Sequence, residues 1–389
     1  MKILHLFSDW KWTGPAEPVV TLCKGLEKKG HDVTLAYRKP PHPIDESVER
    51  RVREEGIHAT DRFRMNHVLK LSHPSFIADT LSDVTQLSHY LRQERFDIVN
   101  VHHSHDHVLG GIAAWRTEPS PLVLRTDHKR NSISPGWGNR FLLSRLTDGL
   151  LTFSEKSRKE CLDRFHLPAE RVGKIPPALD LQRYAHGRSF KDMRTAFGID
   201  PGDMVIGMTA RFQQYRRTDV FLEAMQKIVK ECPKVKLLLV GRSSQMEESV
   251  VRPTKRLGIE PWVILAGYRT DDYVDTLACM DIFVFLMPGS DGTARALREV
   301  MALGKPVVVS DQGMLPELIE HGVSGWVVKI TADELATAVL MLLRSPEMRE
   351  AMGKAAYERA HQGFQLGQQV DAVEAFYQKL MALGKWRTR

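Results

Sequence analysis

The chain has 389 residues, of which 42% are hydrophobic and 26% charged, and a formal net charge of +7. This length predicts two or three domains with sizeable cores, and the lack of any apolar run of about 18 residues excludes an ordinary membrane-spanning helix. The positive charge favours anionic ligands, but no zinc finger, aromatic RNA motif or long basic arm accompanies it, so we expect no nucleic-acid partner.

The first elements predict a Rossmann-like half. Met1–Ser8 has the length of a buried strand, Glu17–Lys29 is an amphipathic helix ended by Gly30, and Asp32–Tyr37 is a second strand. Residues 48–76 give no clear pattern. The amino terminus lacks the long apolar core of a signal peptide, and the four cysteines form no Cys-x-x-Cys pair, so we expect a cytoplasmic protein.

Two further strands in this half are followed by histidines. Ile98–Val101 precedes the histidine-rich segment 102–107, and Leu122–Arg125 leads to His128. Imidazole is a common metal ligand, but successive loop residues rarely point at one ion and no carboxylate cluster accompanies them, so we expect no metal site. The first half is predicted to close near residues 176–177.

A polar connection, residues 179–203, separates this half from a second alternation of strands and helices. The predicted elements are strand Met204–Met208, helix Asp219–Glu231, strand Val235–Val240, strand Val263–Leu265, helix Asp272–Cys279 and strand Ile282–Leu286. The expected fold class is therefore α/β, with two Rossmann-like domains facing across a cleft.

A Ser-Asp-Gly turn follows the last of these strands and leads into a predicted helix, Thr293–Leu303, and a strand, Pro306–Ser310. The amino terminus of such a helix suits a phosphate. Asp291 in the turn and Glu299, about two helical turns later, can face one ligand. Because carboxylates repel a diphosphate, hydroxyl groups are their fitting partners, and the combination points to a sugar.

The spacing of Asp291 and Glu299 resembles the acidic-x7-Glu motif of retaining GT-B glycosyltransferases of family 4. The similarity to that family continues through further glycine and proline positions: Glu299–Val308, Gly313, Leu315–Leu318 and Gly322–Gly325. In this chain Asp291 stands where glutamate is more common, and Ala294 replaces the family's second glycine.

The resemblance implies the GT-B fold and a division into domains. Residues 1–180 would form the N-terminal acceptor domain, residues 181–203 the linker, and residues 204–366 the nucleotide-sugar donor domain. A C-terminal helix within residues 367–389 would cross back to the N-terminal domain.

The resemblance also implies a donor site in the second half. Arg211 matches an arginine that holds the donor diphosphate in the family. Arg216 stands at the position of a lysine that has the same role, and Arg217 competes with Arg216 for this role. Glu299 would bind the ribose hydroxyls and Asp291 the sugar hydroxyls. The other expected donor contacts are Gly14, Gly241, Tyr268, Gly292, Thr293 and Ala294. For Gly14, Gly241 and Tyr268, a purely structural turn is the alternative.

In the first half, His128 matches the position that meets the donor sugar in the family, where it would bind a hydroxyl or orient the substrate. His102 or His103 matches the histidine that lines the acceptor side. A structural loop histidine is the alternative reading of His128. The resemblance thus implies catalysis by His128, Asp291, Arg211 and Arg216, without a metal ion.

The implied activity is transfer of a sugar from a UDP-, GDP- or ADP-sugar to an acceptor, an envelope or lipid-linked saccharide, with retention and without a required cofactor. Two alternatives stay open: a nucleotide-sugar epimerase or hydrolase, and a non-catalytic two-lobed sugar-binding protein. The basic clusters at residues 50–53, 155–159 and 385–389 are either solvated surface or a peripheral contact with the inner face of an anionic membrane.

Overall fold

The computed structural model describes residues 1–12, 14–44, 46–66, 74–129, 132–185, 187–289 and 294–386, with the side chains of 74–76 left aside. The chain forms two compact units. The first contains Met1–Ala178 and the chain from Leu366 onward, and the second contains Leu179–Gly289 and Ala294–Gln365. Each unit is built on one parallel sheet flanked by helices.

The first unit contains a seven-stranded sheet in the order β3-β2-β1-β4-β5-β6-β7, in which all neighbouring strands are parallel. Its elements are β1 (Lys2–Phe7), α1 (Ala16–Lys28), β2 (Asp32–Tyr37), α2 (Val48–Glu55), β3 (Ala59–Thr60), α3 (Pro74–Glu94), β4 (Ile98–Val101), α4 (Ser104–Trp115), β5 (Leu122–Asp127), α5 (Trp137–Arg145), β6 (Gly149–Thr152), α6 (Glu155–Phe165) and β7 (Val172–Lys174).

The central strands of this sheet are apolar on both faces, as expected when helices cover both sides. Ile3 and Phe7 of β1 belong to one buried cluster, and Leu4 and Leu6 belong to another. The strand order reverses between β1 and β4, so the loops that follow these two strands lie at the topological switch point, where ligands of such sheets bind.

The second unit contains a six-stranded parallel sheet in the order β10-β9-β8-β11-β12-β13. Its elements are α7 (Met193–Ala196), β8 (Met204–Thr209), α8 (Thr218–Glu231), β9 (Val235–Val240), α9 (Arg252–Leu257), β10 (Val263–Gly267), α10 (Tyr273–Ala278), β11 (Ile282–Phe285), α11 (Arg295–Ala302), β12 (Val307–Ser310), α12 (Leu315–Leu318), β13 (Trp326–Val328), α13 (Ala332–Arg344) and α14 (Pro346–Gly363). Here the order reverses between β8 and β11, which places the loops after these strands at the switch point.

The last helix, α15 (Leu366–Leu383), belongs to the first unit. Val370, Val373, Tyr377 and Leu380 recur at helical spacing and are buried in the cluster that also holds β1 and α1. The helix approaches β6 so closely that a Cβ on Gly149 would lie 2.4 Å from Cδ1 of Leu380. Glycine at position 149 therefore allows α15 to pack closely against the sheet.

The two parallel sheets confirm the predicted α/β fold class with two Rossmann-like halves. Strands such as β4 and β9 have the predicted bounds, whereas β5 runs two residues further than predicted, to Asp127. The helix predicted from Thr293 is described from Arg295, because residues 290–293 lie outside the described part of the chain. Among the described helices, none has the length and hydropathy needed to cross a bilayer.

Candidate active site

Arg216 lies at the switch point of the second unit. It ends a short 3₁₀ turn, Gln214–Arg216, after β8, and its Nη1 donates a 2.6 Å hydrogen bond to the carbonyl of Met287 after β11. A Cβ on Gly289 would lie 2.6 Å from Nη2 of Arg216, so glycine lets the guanidinium rest against this loop. A buried positive charge is therefore held beside the segment that leads into residues 290–293.

The two neighbouring arginines differ from Arg216 in their surroundings. Arg217 has a backbone φ of 57°, and its Nε lies 3.3 Å from Oδ1 of Asp219. Arg211 is exposed at the start of the loop that follows β8. Of the two arginines that compete for the lysine position, Arg216 is thus the one that contacts the loop after β11.

Gly241 has a structural role after β9. Its φ is 141°, and a Cβ there would lie 1.9 Å from the carbonyl oxygen of Ala210, so only glycine fits without a backbone shift. Beside this turn, the guanidinium carbon of Arg242 lies 4.0 Å from the ring centroid of Tyr268, which is half exposed. The pair forms a flat cation–π surface at the carboxyl edge of the sheet.

A cavity of about 600 Å³ lies near this edge. Most of its lining residues are polar, and they include Gln213, Gln214, Thr218, Ser244, Gln245 and Glu248. Of the predicted site residues that the structure describes, none lines this cavity.

Glu299 on α11 is fully buried and held by three protein donors. Oε1 accepts hydrogen bonds from the Tyr184 hydroxyl and from Nε of Arg295, both at 2.7 Å, and Oε2 accepts one from the Tyr273 hydroxyl at 2.8 Å. Burial by itself raises the pKa of Glu299, but Arg295 and the two tyrosines outweigh it and lower the pKa, so the carboxylate stays ionised. The described protein donors thus occupy three of the roughly four acceptor positions of this carboxylate.

The three partners of Glu299 were not among the predicted site residues. Arg295 could have been found from its position four residues before Glu299 on the same helix. Tyr184 and Tyr273 gave no signal, because they come from separate segments of the chain.

The remaining predicted donor residues precede α1 or α11 in the chain. Asp291, Gly292 and Thr293 lie outside the described residues. Ala294 is buried immediately before α11, and Gly14 lies in an exposed turn before α1.

A row of three buried histidines crosses the first unit at its switch point. Nδ1 of His5, on β1, lies 3.0 Å from Nε2 of His102, and Nδ1 of His102 lies 3.0 Å from Nε2 of His128. At the two ends, Nε2 of His5 and Nδ1 of His128 are buried without a hydrogen-bond partner among the described residues. The structure therefore joins two predicted histidines and adds His5, which the sequence analysis missed.

These histidines are neutral in the folded protein. Burial lowers the pKa of His5 to about 3, and burial together with neighbouring histidines and Arg125 lowers the pKa values of His102 and His128. A neutral imidazole carries one N–H, so His102 must donate through one nitrogen and accept through the other. The tautomers of all three rings are consequently coupled.

His103 is held by Asp106 on the first turn of α4. Oδ2 of Asp106 accepts a 2.8 Å hydrogen bond from the backbone N–H of His103, and Oδ1 accepts a 3.0 Å bond from the N–H of Ser8. Burial opposes ionisation of Asp106, but the hydrogen bonds and His103 lower its pKa to about 2. The ionised carboxylate thus ties the loop after β1 to the loop after β4.

A buried ion pair lies at the end of β5. Nη2 of Arg125 lies 3.6 Å from Oδ1 of Asp127, and both side chains are almost fully buried. Burial lowers the pKa of Arg125 and raises that of Asp127.

Within the described residues, no group of three or more His, Cys, Asp and Glu side chains is arranged to hold a metal ion.

Two family models together match most of the chain. The model described as Glycosyltransferase Family 4 matches residues 13–183, and the model described as Glycosyl transferases group 1 matches residues 189–359. The chain belongs to glycosyltransferase family 4. It is accordingly a GT-B glycosyltransferase, an enzyme of the EC 2.4 class.

Individual relatives are similar to this chain over most of its length, and a solved structure shares its fold. The UDP-Gal:alpha-D-GlcNAc-diphosphoundecaprenol alpha-1,3-galactosyltransferase of Escherichia coli is 23% identical over 316 residues, which cover 78% of this chain and 80% of the relative. The N-acetyl-alpha-D-glucosaminyl L-malate synthase of Bacillus anthracis is 24% identical over 306 residues, 76% of this chain and 78% of the relative. HepE of Anabaena, in complex with UDP, superposes with a TM-score of 0.78 at 19% identity, covering 96% of this chain and 99% of HepE.

Proposed function

We propose that this family 4 glycosyltransferase moves a sugar from a nucleotide diphosphate sugar to a saccharide or lipid-linked acceptor, with retention of the anomeric configuration. The donor diphosphate binds at Arg216 and Arg211. His128 orients the transferred sugar, and Asp291 binds its hydroxyl groups. His102 and His103 lie on the acceptor side.

The position of Arg216 carries this proposal. A buried guanidinium at the switch point, bound to the loop after β11, is a fixed positive charge where ligands of parallel sheets bind. Negative charge develops on the leaving diphosphate as the glycosidic bond breaks, and a preorganised cation stabilises that charge. Arginine suits this role because it binds phosphate through paired N–H groups and does not lose its charge.

A uridine nucleotide is the donor we propose to test first. HepE was solved with UDP and with UDP-glucose, and the name of the Escherichia coli relative specifies UDP-Gal. GDP- and ADP-sugars remain the comparison donors. The exposed Arg242–Tyr268 pair offers a flat cationic and aromatic surface on which a base could stack.

The acceptor we propose is a saccharide carried on a lipid diphosphate, at the inner face of the cytoplasmic membrane. The Escherichia coli relative is named for a diphosphoundecaprenol-linked acceptor, which supports this class. The Bacillus anthracis relative is named for L-malate, so small hydroxy acids belong in the same acceptor screen.

The first test is the thermal shift produced by each nucleotide sugar, because a ligand that binds only the folded state raises its apparent stability. We expect one donor to raise the melting temperature and Arg216→Met to abolish that shift. Arg217→Gln, which removes the neighbouring charge, is the matched control and should retain it.

Product analysis then separates the possible activities. Acceptor-dependent release of the nucleoside diphosphate, with a product of unchanged anomeric configuration by NMR, is the expected result. Donor consumption without any acceptor would instead identify a hydrolase or epimerase. Binding of free sugar without the nucleotide would identify a sugar-binding protein.

A further inference from the structure

An exposed aromatic pair distinguishes α5 in the first unit. Trp137 is 83% exposed, the largest value among the exposed large hydrophobic residues, and Phe141 is 50% exposed. The two residues are four positions apart and therefore lie on the same side of the helix. Leu142 and Leu143 are the buried residues of α5. The aromatic pair consequently faces away from the core.

The same face is basic. Arg140 and Arg145 are exposed beside the aromatic pair, and Lys129 is exposed shortly before the helix. The stretch 129–146 contains four lysines and arginines and no aspartate or glutamate. Nε of Arg140 donates to the carbonyl of Pro135 at 3.0 Å, which is a neutral partner.

Two of the basic clusters that the sequence analysis singled out differ from this face, because acidic residues on the same helix pair with their arginines. On α2, Arg50 and Arg51 both pair with Glu54, at 2.7 Å and 2.9 Å. On α6, Arg158 pairs with Glu155 at 3.0 Å. The third cluster, residues 385–389, also combines basic residues with a tryptophan, and only its first two residues belong to the described part of the chain. The α5 face thus differs from α2 and α6 because it combines exposed aromatic side chains with an absence of acidic residues in its sequence.

The topology brings this face close to the acceptor-side residues. A helix that follows a strand of a parallel sheet begins at the carboxyl edge of that strand. Trp137 is at the first turn of α5, which follows β5, and His128 directly follows the end of β5. Both residues therefore lie toward the same edge of the sheet.

We propose that the α5 face binds the surface of an anionic lipid bilayer, with Trp137 and Phe141 at the headgroup–acyl boundary and Arg140 and Arg145 against lipid phosphates. Tryptophan and phenylalanine on one side of a basic helix are typical of helices that lie in the interface, and anionic headgroups match the charge. The inference deepens the lipid-linked acceptor of the proposed function and rests on it for its biological role. Binding itself needs neither donor nor acceptor.

The test is co-sedimentation of the full chain with vesicles of phosphatidylcholine alone and with vesicles that also contain phosphatidylglycerol. We expect binding only to the anionic vesicles, with a loss at high salt. The double variant Trp137→Ala/Phe141→Ala should bind about tenfold more weakly, and so should Arg140→Gln/Arg145→Gln.

Two matched controls separate the α5 face from general effects. Trp115→Ala removes another exposed tryptophan, 52% exposed at the end of α4, and Arg50→Gln/Arg53→Gln removes the same charge from α2. Both should bind as the unchanged protein does. Because the substituted α5 residues are exposed, all variants should melt at similar temperatures.

Equal binding to neutral and anionic vesicles, or unchanged binding by both α5 variants, would overturn the proposal. A change of oligomeric state in the aromatic variant without a change in vesicle binding would assign the face to an interface between copies of the chain instead. A failed transfer assay would leave vesicle binding unaffected, so the two proposals fail separately.

Discussion

His5 and His102 are joined by a 3.0 Å hydrogen bond between ring nitrogens, although 97 residues separate them in the chain. His102 contacts His128 through its other nitrogen. Since each neutral ring has one N–H, His5 on β1 helps to determine whether Nδ1 of His128 carries a proton or a lone pair. The histidine that we propose to orient the sugar is thus positioned by a strand residue with no place in the family motif.

This row predicts a loss of stability in mild acid. Below about pH 6.5 the histidines of the unfolded chain take up protons that the buried rings cannot, because burial lowers their pKa in the folded state. The free energy of unfolding should therefore be highest above pH 6.5 and fall by up to about 1.4 kcal/mol per pH unit for each such histidine as the pH decreases toward 4. Urea unfolding at a series of pH values measures this slope.

The substitution His5→Leu should reduce the slope, because one titrating group is removed, while it also lowers stability at pH 7 by leaving Nε2 of His102 without its partner. His42→Gln changes an exposed histidine and serves as the control. An unchanged dependence of the unfolding free energy on pH in His5→Leu would contradict the inference that the three buried histidines are neutral in the folded protein.

The buried Glu299 predicts that its tyrosine partners stabilise the second unit. Tyr273→Phe and Tyr184→Phe each remove a hydroxyl that donates to a buried carboxylate, and each should lower the free energy of unfolding by about 1–3 kcal/mol. Glu299→Ala should cost about 2–5 kcal/mol, because it removes the carboxylate that accepts hydrogen bonds from the hydroxyls of both tyrosines. Denaturant titration measures all three.

Tyr268→Phe, at a half-exposed ring, is the matched control and should cost less than either tyrosine substitution, because water can replace a partner at an exposed group. If Tyr273→Phe unfolds at the same denaturant concentration as the parent, the hydrogen bond to Glu299 does not contribute as described. The expected cost of Glu299→Ala also means that its activity is interpretable only beside its measured stability.

Arg216 gives a prediction about ligand binding. Arg216→Met should weaken nucleotide-sugar binding about 10- to 100-fold, the cost of a lost charge-assisted hydrogen bond to phosphate. Gly289→Ala should also weaken nucleotide-sugar binding, because the new Cβ would lie 2.6 Å from Nη2 of Arg216 and would displace the guanidinium. Isothermal titration with UDP-glucose measures both, and Arg217→Gln should bind normally. Equal losses in Arg216→Met and Arg217→Gln would indicate a general charge effect.

The predictable part of the fold is the set of buried strands. Ile98–Val101 and Val235–Val240 are short apolar runs bounded by polar residues, and a parallel sheet covered on both faces produces that pattern. The two-residue strand β3, Ala59–Thr60, is too short to show a periodic pattern of hydrophobic residues. Its place beside β2 therefore follows from tertiary pairing alone.

The candidate site was predictable at strand ends and not beyond them. Arg216 and His128 follow strands, and the carboxyl edge of a parallel sheet gathers such residues. Other contacts of the site join segments that are distant in the chain. Tyr184 contacts Glu299, 115 residues away, and His5 on β1 contacts His102, which follows the neighbouring strand β4. No local pattern encodes these pairs, because packing of the finished fold creates them.

Tyr377 on α15 predicts how the last helix is fixed to the first unit. Its hydroxyl accepts a 2.6 Å hydrogen bond from Nδ2 of Asn100 on β4, and Oδ1 of Asn100 accepts one from the Thr126 hydroxyl at 2.9 Å. All three side chains are buried. Tyr377→Phe should therefore leave an amide N–H buried without its partner and lower the free energy of unfolding by about 1–3 kcal/mol.

A double-mutant cycle tests whether this cost comes from the Asn100–Tyr377 bond or from repacking of the helix. Tyr377→Phe, Asn100→Ala and the double variant are compared by urea unfolding, and residues in direct contact should show a coupling energy of about 0.5–3 kcal/mol. Tyr377→Phe should then cost less in the Asn100→Ala background than in the parent, because the amide that it would strand is already absent. Strictly additive costs would mean that the ring of Tyr377, packed among Val373 and Leu380, holds α15 in place without help from the hydrogen bond.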